Sequence, residues 1–311
     1  MNLALVAFLA YTGVLLAIGI WSYRIVEKVP IAKYEEEFYA AGRGLGGIVV
    51  ALIIAGGMAS AGTFIAGPGM CYAYGYSWVL INVTQTFLSL MLLAAVGIMV
   101  GLVARRVNIV TYLDIYRARY QSKAVVLIMA SLVALLLIPY MSTQFVGAAR
   151  VIVQMTGMGY LASLALGSGV VVVYCVLGGM RGTSVATLLQ GIVITVGTVL
   201  LFAGTYKAAG GFGGSTEAIA TLDPKFLSPT MSGQFTWPFI FSVACLSGYF
   251  AAGSPHGMLG ALTYKNTTAL KRGIWLGAIL VFIWTMLLCV AGTMGRSLIP
   301  NLEVADEIAP W

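Results

Sequence analysis

Eight stretches of this chain stay apolar for about 20 residues each, the length a helix needs to cross the hydrocarbon core of a bilayer. They cover residues 3–23, 46–70, 78–103, 124–147, 160–178, 184–206, 236–256 and 273–295. Inside lipid every backbone N–H and C=O must find its partner within the protein, so only helices or closed barrels can span. These runs are continuous rather than alternating, which selects helices over a barrel. Charge agrees: 9% of the residues are charged and 60% hydrophobic, against about 25% charged in a soluble domain. The fold class expected is an all-α polytopic membrane protein with about eight transmembrane helices.

The basic residues set an orientation. The first run, LALVAFLAYTGVLLAIGIW, has no basic residues before it and Arg24 after it. That pattern fits a retained first span with the N-terminus outside, not a cleaved leader. With that orientation, thirteen of the seventeen Lys and Arg residues fall on the inside, while the ten acids divide five and five. An asymmetry in Lys/Arg alone is the positive-inside effect. The net charge of +7 therefore reports topology in a cell (plasma or inner) membrane, and the partner is the lipid bilayer rather than a nucleic acid. The four cysteines lie in or beside apolar runs without CxxC spacing, and read as small buried hydrophobes. VEKVPIAKYEEEF reads as a solvated inside connector. The outer segment from Lys207 to Phe235 is Gly/Ser/Thr/Pro-rich, and GSTEAIATLD within it suits a short surface helix capped by Ser215 or Thr216.

Two of the spans are poor helices. AGGMASAGTFIAGPG at 55–69 holds five glycines and Pro68 in the middle of the second run. One reading is close helix packing through small residues. The other is a discontinuous helix whose free carbonyls bind a cation beside a cavity. CLSGYFAAGSPHGM at 245–258 repeats the pattern in the seventh run. Paired Gly/Pro-interrupted spans at corresponding places point to an inverted-repeat transporter. The repeat unit would be spans two to six, and an odd number of spans forces the two copies into opposite orientations.

FYAAGRGLGGIVVALIIAGG, IAGPGMCYAYGYSWVL, ARRVNIVTYLDIYRARYQS, QFVGAAR, LGGMRGTSVATLLQG and GSPHGML with YKNTTALKRGI, taken in this order, resemble the sodium/solute symporter family, nearest its pantothenate branch. The resemblance runs from about residue 30 to 302. It implies a partial LeuT-type inverted-repeat fold, with sodium as the coupling ion and no other cofactor or metal. It also implies an extra N-terminal helix over 1–30, a first five-helix repeat with its outer loop over 31–235, and the first two helices of a second repeat over 236–311. The family continues for further helices, so the resemblance implies missing C-terminal helices or a partner chain.

The resemblance carries residues with it. Backbone carbonyls at Gly56 and Ala59 match the family's sodium site, and Ser60 matches a serine near the ion path. Gln85, Tyr140, Gln144, Ser247, Phe250 and Pro255 fall where the solute would bind. Each also has a plain alternative, such as an interhelical hydrogen bond for Gln85 and Ser60 or a satisfied buried hydroxyl for Tyr140. Met58 and Thr187 stand where many family members carry aspartates, so no acid lies inside a span and a carboxylate proton relay has no support.

No catalytic residue is expected. His256 has no Cys, Asp or Glu nearby for a metal, and Ser254 beside it is in no nucleophile elbow. The function expected is a sodium-coupled symporter importing a small organic solute, pantothenate or another carboxylate, by alternating access. The alternative is a truncated, non-transporting fragment or a regulatory or sensor remnant of one.

Overall fold

The computed structural model describes residues 3–41, 44–58, 60–109, 111–258, 260–300 and 302. Among these the apolar runs all become helix, and the only β feature is an isolated parallel bridge between Leu45 and Tyr264. The order is α1 (Leu3–Val26), α2 (Ile31–Ala40), α3 (Gly47–Met58), a π-helical turn (Gly62–Ala66), α4 (Gly67–Tyr74), α5 (Tyr76–Arg106), α6 (Tyr112–Tyr120) and α7 (Lys123–Thr156). There follow α8 (Tyr160–Ala208), α9 (Gly211–Leu222), a 3-10 turn (Pro224–Leu227), α10 (Trp237–Gly253), α11 (Pro255–Met258), α12 (Gly260–Thr263) and α13 (Thr267–Leu298).

Five of these helices are long and apolar enough to cross a membrane, and a sixth span results if α3 and Gly62–Tyr74, bent by 69° to each other, count as one. The remaining two expected spans have simple explanations. α8 has 49 residues, about 74 Å at 1.5 Å per residue, more than twice a bilayer core. It is two spans run together across Gly179, whose φ of 52° and ψ of −156° belong to a region essentially reserved for glycine. α10 is an apolar helix of 17 residues, and ends at Gly253, where Ser254 turns extended (φ −82°, ψ 142°).

Two local expectations change. The VEKVPIAKYEEEF segment is not an open connector: residues 31–40 form α2, and its Glu37 accepts a 2.8 Å ion pair from Arg181. Arg181 lies within α8, where helix resumes directly after Gly179. The outer helix α9 starts earlier than Ser215. Gly210 caps it at φ 70°, allowing the chain to turn straight out of α8, and the Ser215 hydroxyl is spent on the Phe212 carbonyl at 3.2 Å.

The chain divides into two compact units. The first comprises residues 1–54, 97–189 and 258–274. Small residues bring its helices together. Ser22 donates to the Gly178 carbonyl at 2.7 Å, and a Cβ at Gly19 would sit 3.1 Å from the Tyr174 backbone. Arg105 stacks 4.7 Å over the Tyr264 ring and donates to the carbonyls of Tyr264 and Lys265, while the Tyr264 hydroxyl reaches the Gly101 carbonyl at 2.6 Å.

The second unit comprises residues 55–96, 190–257 and 275–311. Its core contains Ala55, Leu90, Val281 and Trp284 in one cluster and Cys71, Val79, Cys289, Val290 and Met294 in another. The Trp284 indole donates to Thr195 at 3.1 Å, so the one polar atom of a buried aromatic is satisfied. Arg296 lies 3.7 Å over the Phe226 ring and donates to the Tyr72 carbonyl at 2.9 Å. In the same unit Asp223 caps the 3-10 turn by accepting from the Lys225 amide at 3.0 Å. The Lys225 ammonium, 2.6 Å away, helps hold the Asp223 carboxyl below the usual carboxylate range.

Candidate functional site

α3 runs out at Met58 because the next residues are small and a new helix has to begin. Ser60 starts it. Its carbonyl accepts the Thr63 and Phe64 amides at 2.9 and 3.0 Å, and its hydroxyl accepts the Thr63 amide at 3.2 Å, which is helix N-capping. The Thr63 hydroxyl reaches back to the Met58 carbonyl at 3.0 Å, satisfying one of the acceptors that the end of α3 leaves open. The first turns then open into a π-helix, with the Gly67 amide donating to the Gly62 carbonyl five residues before. Such π-turns relax a helix locally and recur at functional sites.

A cavity of 590 Å³ in the second unit opens on this junction. Met58, Ser60, Gly62 and Thr63 form one wall, and α5 forms another. Asn82, Gln85, Thr86 and Ser89 all line it. Their spacing of three, four and seven puts them on one helical stripe. α10 adds Ser247 and Phe250, and α13 adds Thr285. A short relay crosses the wall: Ser247 donates to the Gln85 carbonyl oxygen at 3.1 Å, and the Gln85 amide donates to Asn82 at 2.6 Å. Asn82 in turn donates to the Trp78 carbonyl at 3.2 Å.

Hydroxyls in a helix usually fold back onto the carbonyl a turn earlier, and Thr84 does so onto Leu80 at 2.9 Å. Thr86, Ser89 and Thr285 make no such bond among the described residues, although Ser89 and Thr285 are buried. Their hydrogen-bonding capacity is left for something in the cavity. No described residue lining the cavity has an ionisable side chain. Its electrostatics therefore come from dipoles: the carbonyl end of α3, and the amide end of the helix that begins after Ser60.

Of the residues singled out from the sequence, Ser60, Gln85, Ser247 and Phe250 line this one cavity. Gly56 lies in the last turn of α3, half-buried, and is not among the lining residues. Ala59 lies outside the described residues. Pro255 opens α11 and does not line the cavity. Tyr140 and Gln144 are on α7 in the first unit. The Tyr140 carbonyl accepts the Thr143 hydroxyl at 2.7 Å, and Gln144 donates to Thr143 at 3.4 Å. Thr187 spends its hydroxyl on the Thr183 carbonyl at 2.7 Å. Asn82, Thr86 and Ser89 escaped the sequence reading, yet their stripe in an apolar run was a visible signal; Thr285 had none.

Residues 38–306 match the model of the sodium:solute symporter family. The chain belongs to that family. The symporter relatives include the sodium/pantothenate symporters of Haemophilus influenzae, 32% identical over 275 residues, and of Escherichia coli, 32% identical over 294 residues. The matches cover 88% and 94% of this chain but 57% and 60% of the relatives, so the chain spans somewhat over half their length. These relatives are transporters, not enzymes. A Na+-coupled sialic acid symporter in its substrate-bound outward-open state has the same LeuT-like fold, with a TM-score of 0.82 at 18% identity over 99% of this chain and 64% of that one. The symporter-family chain is a multi-pass membrane protein.

Proposed function

We propose that this chain acts in sodium-coupled import of a small organic solute, pantothenate or another small carboxylate, by alternating access. The observation that carries the reading is the meeting of two opposed helix ends with a polar α5 stripe at a single 590 Å³ cavity, a volume in the range of small-molecule sites. The carbonyl end of α3 suits sodium, a hard cation, and Gly56 and Ala59 are the backbone ligands we assign, with Ser60 on the ion path. The amide end beginning at Gly62 and Thr63 suits a carboxylate. Gln85, Ser247 and Phe250 would hold the rest of the solute. Tyr140, Gln144 and Pro255 are assigned to its route on the family resemblance. Sodium binding would favour the outward-open state, and solute binding would allow the inward change.

The same reading assigns residues 1–30 to an extra N-terminal helix, 31–235 to the first repeat and its outer loop, and 236–311 to the opening helices of the second. It places the chain in the plasma or inner membrane with its N-terminus outside, as the Lys/Arg distribution favours. The test is uptake of labelled pantothenate by proteoliposomes holding this chain, in sodium and in choline buffer. Uptake should need the sodium gradient. Equal uptake in both buffers rejects the coupling, and sodium-driven uptake of other small carboxylates but not pantothenate rejects the solute alone.

A further inference from the structure

In the first unit, the junction of α6 and α7 is built unlike a simple turn. A space of 650 Å³ opens there, with Arg117, Gln121, Ser122 and Lys123 on its polar side and Val126, Leu127 and Ala130 on its apolar side. The stretch 105–123 carries five basic residues and one acid, Asp114. That acid is largely committed: one oxygen accepts from the Thr111 amide and hydroxyl, each at 2.9 Å, and the other pairs with Arg117 at 3.1 Å. The Arg117 side chain is 71% exposed, so this pair is a weak surface contact that leaves the rest of its donor fork available. Lys123 is exposed and has no partner among the described residues.

The surroundings fix the depth of the space. Tyr112, Tyr116 and Tyr120 recur every four residues along α6, and the first two share a 3.0 Å hydroxyl contact. Amphipathic aromatic rings of this kind sit at headgroup level. Directly after Lys123, α7 becomes apolar, and no residue of its most apolar window is buried. Leu127, Leu135 and Leu136 are 69%, 66% and 68% exposed. A cationic mouth at headgroup depth continues into an uncovered apolar track.

The geometry points to a binding site for one anionic phospholipid, its phosphate held by Lys123 and Arg117 and its acyl chains lying along Leu127 and the exposed face of α7. Charge complementarity selects an anionic over a zwitterionic headgroup. The apolar floor selects a lipid over a free anion. Gln121 and Ser122 would bond the headgroup's polar end.

Native mass spectrometry of this chain, released from nanodiscs of dioleoylphosphatidylglycerol and dioleoylphosphatidylcholine in equal amounts, tests the site. One phosphatidylglycerol adduct should persist after collisional stripping. Arg117→Gln with Lys123→Gln should weaken that adduct roughly tenfold or more, and Lys123→Arg should keep it. Lys123→Gln alone, at an exposed position, gives the same reading if the double variant fails to insert. Three results would overturn the proposal: a glutamine variant that retains the lipid like the parent, equal retention of phosphatidylcholine, or loss of the adduct to millimolar inorganic phosphate, which would mean a free-phosphate site.

Discussion

A close approach in the second unit, between α13 and the start of α4, allows a sharp test. A Cβ added at Gly292 would stand 2.3 Å from the Pro68 carbonyl oxygen and 2.6 Å from the Pro68 Cα. Carbon and oxygen tolerate about 3.3 Å, so Gly292→Ala must push the two backbones apart by about 1 Å. The obstacle is main chain, and no rotamer change relieves it. One turn further on, Arg296 donates to the Tyr72 carbonyl at 2.9 Å. The same displacement takes that bond to nearly 4 Å, beyond hydrogen-bonding range. Overpacking costs about 1–3 kcal/mol, and losing a hydrogen bond from a charged group costs about 1.5–3 kcal/mol. Together they predict a loss of roughly 2.5–6 kcal/mol. Cys71 and Cys289 are both buried in this unit, so reaction of a thiol dye on heating reports its unfolding. Gly292→Ala should lower the midpoint by many degrees. Gly197→Ala, where a Cβ meets nothing within 4 Å, should not lower it. If both variants melt within about a degree of the parent, the packing argument for α4 and α13 is wrong.

Two further substitutions probe the site and the fold. Gln85→Leu strands the Asn82 carbonyl oxygen and the Ser247 hydroxyl; at about 1–3 kcal/mol for lost polar partners, the KM for solute should rise about tenfold with membrane insertion intact, and an unchanged KM removes Gln85 from the solute site. Gly179→Ala forces a Cβ into the φ 52° conformation that separates the two legs of α8, 2.7 Å from the Phe38 ring. Strain of about 1–3 kcal/mol should lower the melting midpoint, and a parent-like midpoint would mean that the break does not depend on glycine.

Much of the architecture was legible because lipid leaves a chain few choices. Apolar runs of spanning length must be helices, so the spans could be counted from residue types alone. The Gly/Pro cluster at 55–69 announced the interruption that occurs between Met58 and Gly62, since those residues hold a helix poorly. The second cluster announced a break too, and it falls at Ser254, after seventeen helical residues of α10. Spans five and six could be counted but not joined. Only the conformation of Gly179, with Phe38 packed against it, shows them as one interrupted track.

Periodicity told less about the site. In an all-apolar helix nothing distinguishes the face turned to lipid from the face turned to a cavity. Local sequence by itself determined how many apolar spans there are and where two of them break, because those properties depend on hydrophobicity and backbone preference within a few residues. Tertiary structure alone decided that Ser247 meets Gln85, 162 positions away, that Thr285 joins Ser89 at one cavity, and that Gly292 is the place where α13 touches Pro68. Those are consequences of how helices pack, and packing joins residues that no stretch of sequence holds together.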